Sequence, residues 1–190
     1  MSDHIRVAYD YLSRARNCLL ASNQERHFGK SPEVVSAALT DCDGYITDSG
    51  IAVLEIGEAL PHNKELQSSA LNDHWLGCIH AAIGKIAEKD IVPCFNMAMV
   101  GFCLAMPRGA NNARMWDASN RALNLVINNL KGVFFPDDNI EHMAFAVLGC
   151  WAEEPKTTVY IGDYHTQREE IMRLLDYARH HKHYPRYYPN

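Results

Sequence analysis

The feature that most constrains the fold is the apolar run Pro93–Met106. Both of its faces are apolar, and the alternating residues are Phe95, Met97 and Met99 against Ala98, Val100 and Phe102. A strand at a sheet surface is apolar on one face only, so this run predicts one long strand or a strand pair in a central position, covered on both sides. Its methionines are typical of core-filling side chains. The run is too short to span a bilayer, and we expect no membrane association.

Apolar periodicity predicts the other elements. Helices are predicted at 65–89, from Ser119 to Lys131 and at 167–181. Strands are predicted in the regions of Ile51, Phe95, Val133, His142 and Thr157, with the last two joined as a hairpin. The expected fold is α/β of the mixed α+β type. In it, a sheet of about four to five strands is covered by two main helices, centred near Trp75 and Val126.

At 190 residues the chain is predicted to form one domain with extensions. Residues 1–49 are expected to be a helical N-terminal extension, and 50–163 the sheet domain. Residues 164–190 are expected to be a helix with a basic and aromatic tail. The stretch Asp41–Asp48 resembles a Ca²⁺ loop but lacks the first ligand and the closing glutamate of such loops. A turn with Asx hydrogen bonds is predicted there instead.

Composition narrows the class of protein. Hydrophobic residues make up 47% of the chain and charged residues 22%, which are globular values. The six cysteines show no C-x-x-C spacing, so buried reduced thiols are predicted rather than disulfides or a zinc site. No signal-peptide pattern is present at the start, and we expect a cytoplasmic protein. The net charge of −5 disfavours nucleic-acid binding, which needs cations for phosphates.

Carboxylates bracket the predicted helix after Ser119. Asp117 is the predicted N-cap, and Gly132 occupies the position of a left-handed C-terminal residue. A short strand, Val133-Phe134-Phe135, and a turn carrying Asp137 and Asp138 are predicted to follow. Such a return can bring Asp117 to the Asp137–Asp138 pair, and clustered carboxylates bind hard cations such as Mg²⁺. The alternative, that all three are ordinary surface residues, stays open.

This order of features resembles the RusA family of Holliday-junction resolvases. The match runs through Asp117-Ala118-Ser119-Asn120, the helix ending at Gly132, the apolar strand, Asp137-Asp138-Asn139-Ile140 and two further strands. The resemblance implies a homodimer that cuts branched DNA, a four-way junction, with Mg²⁺ or Mn²⁺. It implies Asp117, Asp137 and Asp138 as metal ligands and catalytic residues. Asn120 would orient or bind the metal.

Two positions depart from the family pattern. Ser119 stands where the family has a second aspartate, and Leu123 where it has a lysine. The sequence therefore also fits a RusA-like protein that has lost turnover and binds DNA or protein. The candidate DNA-contacting residues are cations around the helix and the loop before it: Arg108, Arg114, Arg121 and Lys131.

Two further features of the sequence bear on function, a pair of histidines and the N-terminal helices. His74 and His80 are six residues apart, which is not the i, i+4 spacing of a helical metal pair. Each is predicted to be a polar-face or partly buried histidine rather than a ligand. The N-terminal helices allow a third interpretation, an interaction module, for which their amphipathic pattern is the argument.

Overall fold

The computed structural model describes residues 41–61, 69–107 and 122–180. The predicted N-terminal helices and the basic tail lie outside these ranges. Within them the chain forms five strands: β1 (Cys42–Ile46), β2 (Ala52–Ile56), β3 (Ala98–Pro107), β4 (Met143–Ala152) and β5 (Lys156–Asp163). It also forms three helices: α1 (Ser69–Lys89), α2 (Leu123–Leu130) and α3 (Tyr164–His180).

The strands form one mixed sheet in the order β1-β2-β5-β3-β4. Strands β3 and β4 are parallel, and every other neighbouring pair is antiparallel. The parallel pair needs a crossover connection, which α2 supplies. The predicted mixed α+β architecture, with a sheet of about five strands, is confirmed.

Strand β3 separates two hydrophobic cores. Val100, Phe102 and Leu104 lie in the core under α1 and α2. The alternate residues Met99 and Cys103 lie in the core under α3. Side chains of this size stabilise the fold by about 1.5–3 kcal/mol each when fully buried. The prediction that this run is a central strand covered on both sides is therefore confirmed.

The turn predicted over Asp41–Asp48 is wrong, because Cys42–Ile46 form β1 and pair with β2. The tight turn comes later, at Gly50, whose φ is +83°. Gly44 lies within this strand and meets a packing requirement, because a Cβ there would lie 1.9 Å from the carbonyl oxygen of Ala82 in α1. The sheet therefore begins at Cys42, inside the segment assigned to the N-terminal extension.

The hairpin predicted between β4 and β5 is also wrong. Strand β3 lies between them and pairs with β4 on one side and with β5 on the other. The short connection between β4 and β5 resembles a hairpin turn, yet the two strands are not hydrogen-bonded to each other.

The predicted strand Val133-Phe134-Phe135 is a turn instead. Phe134 and Phe135 are fully buried in the core under α1 and α2, so this turn closes that core without joining the sheet. The turn starts at Gly132, whose φ of +74° is the left-handed conformation predicted for the residue after the helix. That part of the prediction is confirmed.

Helix α2 begins at Leu123 with Ala122 as its N-cap, and no side chain caps it. Asp117, the predicted N-cap, lies outside the described residues. The backbone N–H of Ala122 instead donates a 3.0 Å hydrogen bond to the carbonyl oxygen of Pro61. The start of α2 is thus fixed beside the loop that follows β2, at the end of the sheet where β3 terminates.

Candidate metal centre

The carboxylates predicted to bind Mg²⁺ fall in two parts of the chain. Asp137 and Asp138 lie in the loop between α2 and β4, and their side chains are 49% and 38% exposed. Asp117 and Asn120 lie outside the described residues, so the predicted meeting of the three acids stays a prediction. Asp137 and Asp138 follow the C-terminal end of α2, at the end of the sheet where β3 and β4 begin.

The two acids share a cation in this structure. Lys131 Nζ lies 3.4 Å from Asp137 Oδ1 and 3.0 Å from Asp138 Oδ1. The hydrogen bond to Asp138 raises the pKa of Lys131. The backbone N–H of Asp138 lowers the pKa of Asp137, and Lys131 lowers it further. Lys131, predicted to contact DNA, is therefore engaged by carboxylates, while Arg108, Arg114 and Arg121 lie outside the described residues.

A different set of ligands converges at the other end of the sheet. Among the described residues, three side chains that can bind a metal come together: Glu58, His74 and Cys78. Their ligand atoms all lie within 4.8 Å of one another. Glu58 follows β2, and its carbonyl oxygen accepts a 2.8 Å hydrogen bond from the Thr157 hydroxyl. The triad is a candidate metal site, and it is not the site that the sequence pattern predicted.

Helix α1 supplies two of the three ligands. His74 and Cys78 are four residues apart, so both side chains project from the same face of the helix toward the loop after β2. Cys78 is 1% exposed and packs in the core under α1. The side chains of His74 and Glu58 are 29% and 45% exposed. The triad therefore has a buried sulfur ligand at its base and two ligands open to solvent.

The distances within the triad centre on one nitrogen. Glu58 Oε1 lies 2.8 Å from His74 Nε2, and Cys78 Sγ lies 3.7 Å from the same Nε2. A Cys-His-Glu relay for nucleophilic catalysis needs the thiol on one ring nitrogen and the carboxylate on the other. Here both meet Nε2, so the arrangement does not suit a relay. It suits three ligands that surround a common point.

A second thiol adjoins the triad. Cys42, the first residue of β1, is buried in the same core as Cys78. Its interaction with the Cys78 thiol lowers the pKa of Cys42. The same interaction, together with burial, raises the pKa of Cys78. Without a metal, Cys78 is thus held as a neutral thiol, and a bound cation would have to displace its proton.

Sequence reasoning missed this site for identifiable reasons. His74 was compared with His80 and set aside, whereas its partner at the i+4 position is Cys78. That His-x-x-x-Cys spacing was available in the sequence. No spacing in the sequence links Glu58 to this pair, because Glu58 lies in the loop after β2, 16 residues before His74. Buried thiols were predicted, and four of the five described cysteines are buried, namely Cys42, Cys78, Cys103 and Cys150, whereas Cys94 is exposed.

Comparisons with known proteins were made against family models, curated proteins and solved structures, and none of the three found a match. None of the described helices α1, α2 and α3 combines the length and apolar content that crossing a bilayer requires.

Proposed function

We propose that this protein is a zinc-dependent hydrolase whose metal is held by Glu58, His74 and Cys78. One observation carries the proposal: a carboxylate oxygen and a sulfur approach the same imidazole nitrogen, at 2.8 and 3.7 Å. Ligand atoms on one tetrahedral zinc ion stand about 3.3–3.7 Å apart, because each bond is about 2.0–2.3 Å long. The Cys78–His74 separation already fits, and the Glu58 oxygen has to retreat by roughly half an ångström.

The donor set favours zinc over the Mg²⁺ or Mn²⁺ predicted from the sequence. Thiolate and imidazole ligands select Zn²⁺ and similar transition metals, whereas Mg²⁺ and Mn²⁺ prefer oxygen ligands. Cys78 is the deciding residue, because a buried sulfur contributes little to a magnesium site. The Glu58 carboxylate is compatible with either class of metal and does not discriminate between them.

Three protein ligands leave one position of a tetrahedron for water. This is the pattern of catalytic zinc sites, whereas structural sites have four protein ligands. Zinc lowers the pKa of its bound water to about 7, so a hydroxide nucleophile forms near neutral pH. The exposure of the Glu58 and His74 side chains supports access of a substrate to that position. Attack on a carbonyl carbon or a phosphorus atom is the chemistry that follows.

The phosphodiester bonds of branched DNA are the first substrate to test, because the sequence resembles the RusA family. A zinc ion would also supply positive charge where a phosphate approaches. That charge matters in a chain with a net charge of −5, which otherwise repels nucleic acid. The homodimer implied by the resemblance belongs to the same proposal, since paired cuts across a junction need two sites.

Zinc binding is the first experiment. Equilibrium dialysis with metal analysis is expected to find one tightly bound Zn²⁺ per chain in the unmodified protein. Cys78→Ser and His74→Gln are expected to lower the affinity by more than about tenfold. His80→Gln is the matched control, because it removes a histidine from the same helix outside the triad. Zinc affinity that is unchanged in Cys78→Ser would overturn the proposal.

Hydrolysis is the second experiment, on synthetic four-way junctions supplied with Zn²⁺. Cutting is expected in the unmodified protein and in His80→Gln, and it is expected to fall by at least about 100-fold in His74→Gln. Tight junction binding without cutting at any metal concentration would favour a RusA-like binding protein. Zinc binding with neither cutting nor junction binding would direct the search to other ester or amide substrates.

The second candidate is the Mg²⁺-dependent endonuclease that the resemblance implies, with Asp117, Asp137 and Asp138 as ligands. The observation that favours it is the contact of both Asp137 and Asp138 with one cationic group, Lys131 Nζ. Two carboxylates that share an ammonium can exchange it for a divalent ion. Junction cutting that requires Mg²⁺, is lost in Asp138→Asn and persists in Cys78→Ser would select this candidate over zinc.

A further inference from the structure

Strand β4 is an unprotected edge of the sheet. Among the described strands it stands at one end of the order, with β3 as its one neighbour. Its ten residues include no charged residue and no proline, and its pairing with β3 continues through all ten without a bulge. Soluble proteins usually protect an edge strand by charge, proline, a bulge or short length, because its outward N–H and C=O groups can pair with another strand. Strand β4 has none of these protections.

The opposite edge of the sheet is protected. Strand β1 has only five residues. It carries Asp43, whose carboxylate lies 3.9 Å from the ammonium of Lys85 in α1. A short strand with a charged side chain is a poor template for further pairing. The two edges therefore differ, and β4 is the one that can accept another strand along its whole length.

The two faces of β4 differ in what covers them. Alternate residues pack against the core under α3: Ala144, Ala146 and Leu148. On the other face Phe145 is 52% exposed and Trp151 is 40% exposed. Phe145 is positioned by an edge-to-face contact with Phe102, with the ring centroids 6.5 Å apart. Large apolar side chains are thus held at the surface beside an open edge, which is the pattern of an interaction site.

We propose that β4 pairs antiparallel with β4 of a second copy of this chain, about a twofold axis, so that two sheets join into one. Antiparallel pairing is the arrangement that such an axis produces, because both copies use the same patch. Residues opposite each other in a sheet project from the same face, so one residue must lie opposite its own copy. This interface deepens the proposed function, on which it rests for the role of the dimer.

The sequence of β4 is self-complementary when Val147 lies on the axis. Large residues then stand opposite small ones at three positions: Phe145 opposite Gly149, Leu148 opposite Ala146 and Cys150 opposite Ala144. Met143 stands opposite Trp151, a thioether beside an aromatic ring. Cross-strand pairs of this kind stabilise a sheet, and no like charges meet because the strand has none. A second copy supplies this match by symmetry, which favours it over an unrelated strand.

Sedimentation of the full chain tests the interface. The unmodified protein is expected to form a dimer. Val147→Lys places two ammonium groups opposite each other on the axis, so its dimer dissociation constant is expected to rise at least about 100-fold. Met172→Lys is the matched control, because Met172 is an exposed apolar residue on α3, and this variant is expected to stay dimeric. A dimer that is equally stable in Val147→Lys would overturn the proposal.

Cross-linking tests the register and does not depend on the folding of Val147→Lys. Directly opposite residues have Cα atoms about 4.5 or 5.5 Å apart, within the range of about 4.4–6.8 Å that a disulfide requires. Oxidised glutathione is therefore expected to link Val147→Cys to its own copy, with each new disulfide replacing two thiols and reducing one glutathione disulfide. Ala146→Cys is the control, because Ala146 lies opposite Leu148 and not opposite itself. Equal cross-linking of the two variants, or none in Val147→Cys, would overturn the proposed pairing.

Failure of this interface is distinguishable from failure of the zinc proposal. The triad lies on α1 and the loop after β2, and α1 packs on β1 and β2, at the other end of the sheet. Val147→Lys is therefore expected to bind zinc as the unmodified protein does. A dimer through β4 that binds no zinc would keep the interface and refute the metal site. A zinc-binding protein that stays monomeric would refute the interface and leave the edge to a strand of a different protein.

Discussion

At the scale of residues, the triad is asymmetric. Cys78 is almost fully buried, whereas the Glu58 side chain is about half exposed. A buried ligand is fixed by its packing, and an exposed carboxylate can move without disturbing the core. If a metal binds as proposed, the Glu58 oxygen, hydrogen-bonded to His74 at 2.8 Å, is therefore the ligand that we expect to rearrange. Entry and exit of the metal are expected on the Glu58 side of the site.

Lys131 gives a prediction at the same scale. Its ammonium helps to lower the pKa of Asp137, after the larger contribution of the Asp138 backbone N–H. Lys131→Met is therefore expected to raise the pKa of Asp137 toward its ordinary value without fully restoring it. A pH titration followed by the chemical shift of the Asp137 carboxyl carbon measures this change.

Lys156→Met is the control for that titration. Lys156 forms an ion pair of 2.9 Å with Glu55 on the sheet, away from Asp137. An Asp137 pKa that moves equally in both variants would contradict a specific role for Lys131. If Lys131→Met also increases Mg²⁺ affinity, the second candidate function gains support, because the ammonium and the metal compete for the same carboxylates.

Sequence patterns predicted some of these residues well and others not at all. Gly132 was predicted correctly, because a left-handed residue after a helix is a local requirement that a glycine meets. Asp137 and Asp138 were predicted in a turn, and they lie in the loop between α2 and β4. Glu58 was not predicted, because its meeting with His74 depends on how β2 packs beside α1. Packing between residues far apart in the chain produces no periodic pattern in the sequence.

At the scale of elements, helix α3 depends on its first residues. Asp163 precedes the helix, and its Oδ1 accepts hydrogen bonds from the backbone N–H groups of His165 and Thr166, at 2.9 and 3.0 Å. This is an N-cap, which satisfies donors that the helix itself leaves without partners. The cap connects the end of β5 to the helix that packs on β3, β4 and β5.

The cap predicts a pH dependence of stability. Partial burial raises the pKa of Asp163, but the hydrogen bonds from Thr166 and His165 outweigh it, so the pKa lies below its ordinary value. A depressed folded-state pKa means that this stabilisation is fully present above the unfolded pKa of about 3.9. It is lost as the pH falls through the folded pKa. Urea unfolding at about pH 7 and at about pH 3 measures the change.

Two variants separate the hydrogen bonds of the cap from its charge. Asp163→Ala is expected to lower the free energy of unfolding by about 1 kcal/mol at neutral pH, because the cap is lost. Asp163→Asn still caps the helix but does not titrate. It is expected to keep most of the stability while losing this contribution to the acid sensitivity. Equal acid sensitivity of Asp163→Asn and the unmodified protein would show that other groups control it.

Element prediction from the sequence succeeded where a pattern was long. The helices α1 and α3 and the central strand β3 each extend over ten residues or more, and all three were predicted. The errors fell on short stretches. Three apolar residues, as in 133–135, suit a strand or a buried turn equally well, and five residues of β1 that include Gly44 look like a turn. The true roles depend on neighbours distant in the chain.

At the scale of the whole molecule, the sheet separates two cores, each of which contains two buried cysteines. Cys42 and Cys78 lie in the core under α1 and α2, and Cys103 and Cys150 in the core under α3. The candidate metal centre touches only the first of these. A metal there would connect α1 to the loop after β2, and so reinforce one layer of the molecule against the sheet.

Zinc is therefore expected to stabilise the folded chain by mass action. A ligand at 100 times its dissociation constant adds about 2.7 kcal/mol to the free energy of unfolding, provided that it does not bind the unfolded chain. For a protein of this size that corresponds to a rise of roughly 5–10 °C in Tm. Differential scanning calorimetry with increasing Zn²⁺, and then with excess chelator, measures the rise and its reversal.

The comparison of two cysteine variants makes the calorimetry specific. Cys150→Ser alters the core that lacks the metal and is expected to keep the zinc-dependent rise in Tm. Cys78→Ser removes the buried ligand, so its Tm is expected to stay nearly constant as zinc is added. Unfolded cysteines and histidines also bind zinc, which reduces the rise but affects both variants alike. A rise of equal size in Cys78→Ser would therefore locate the stabilising zinc outside the triad.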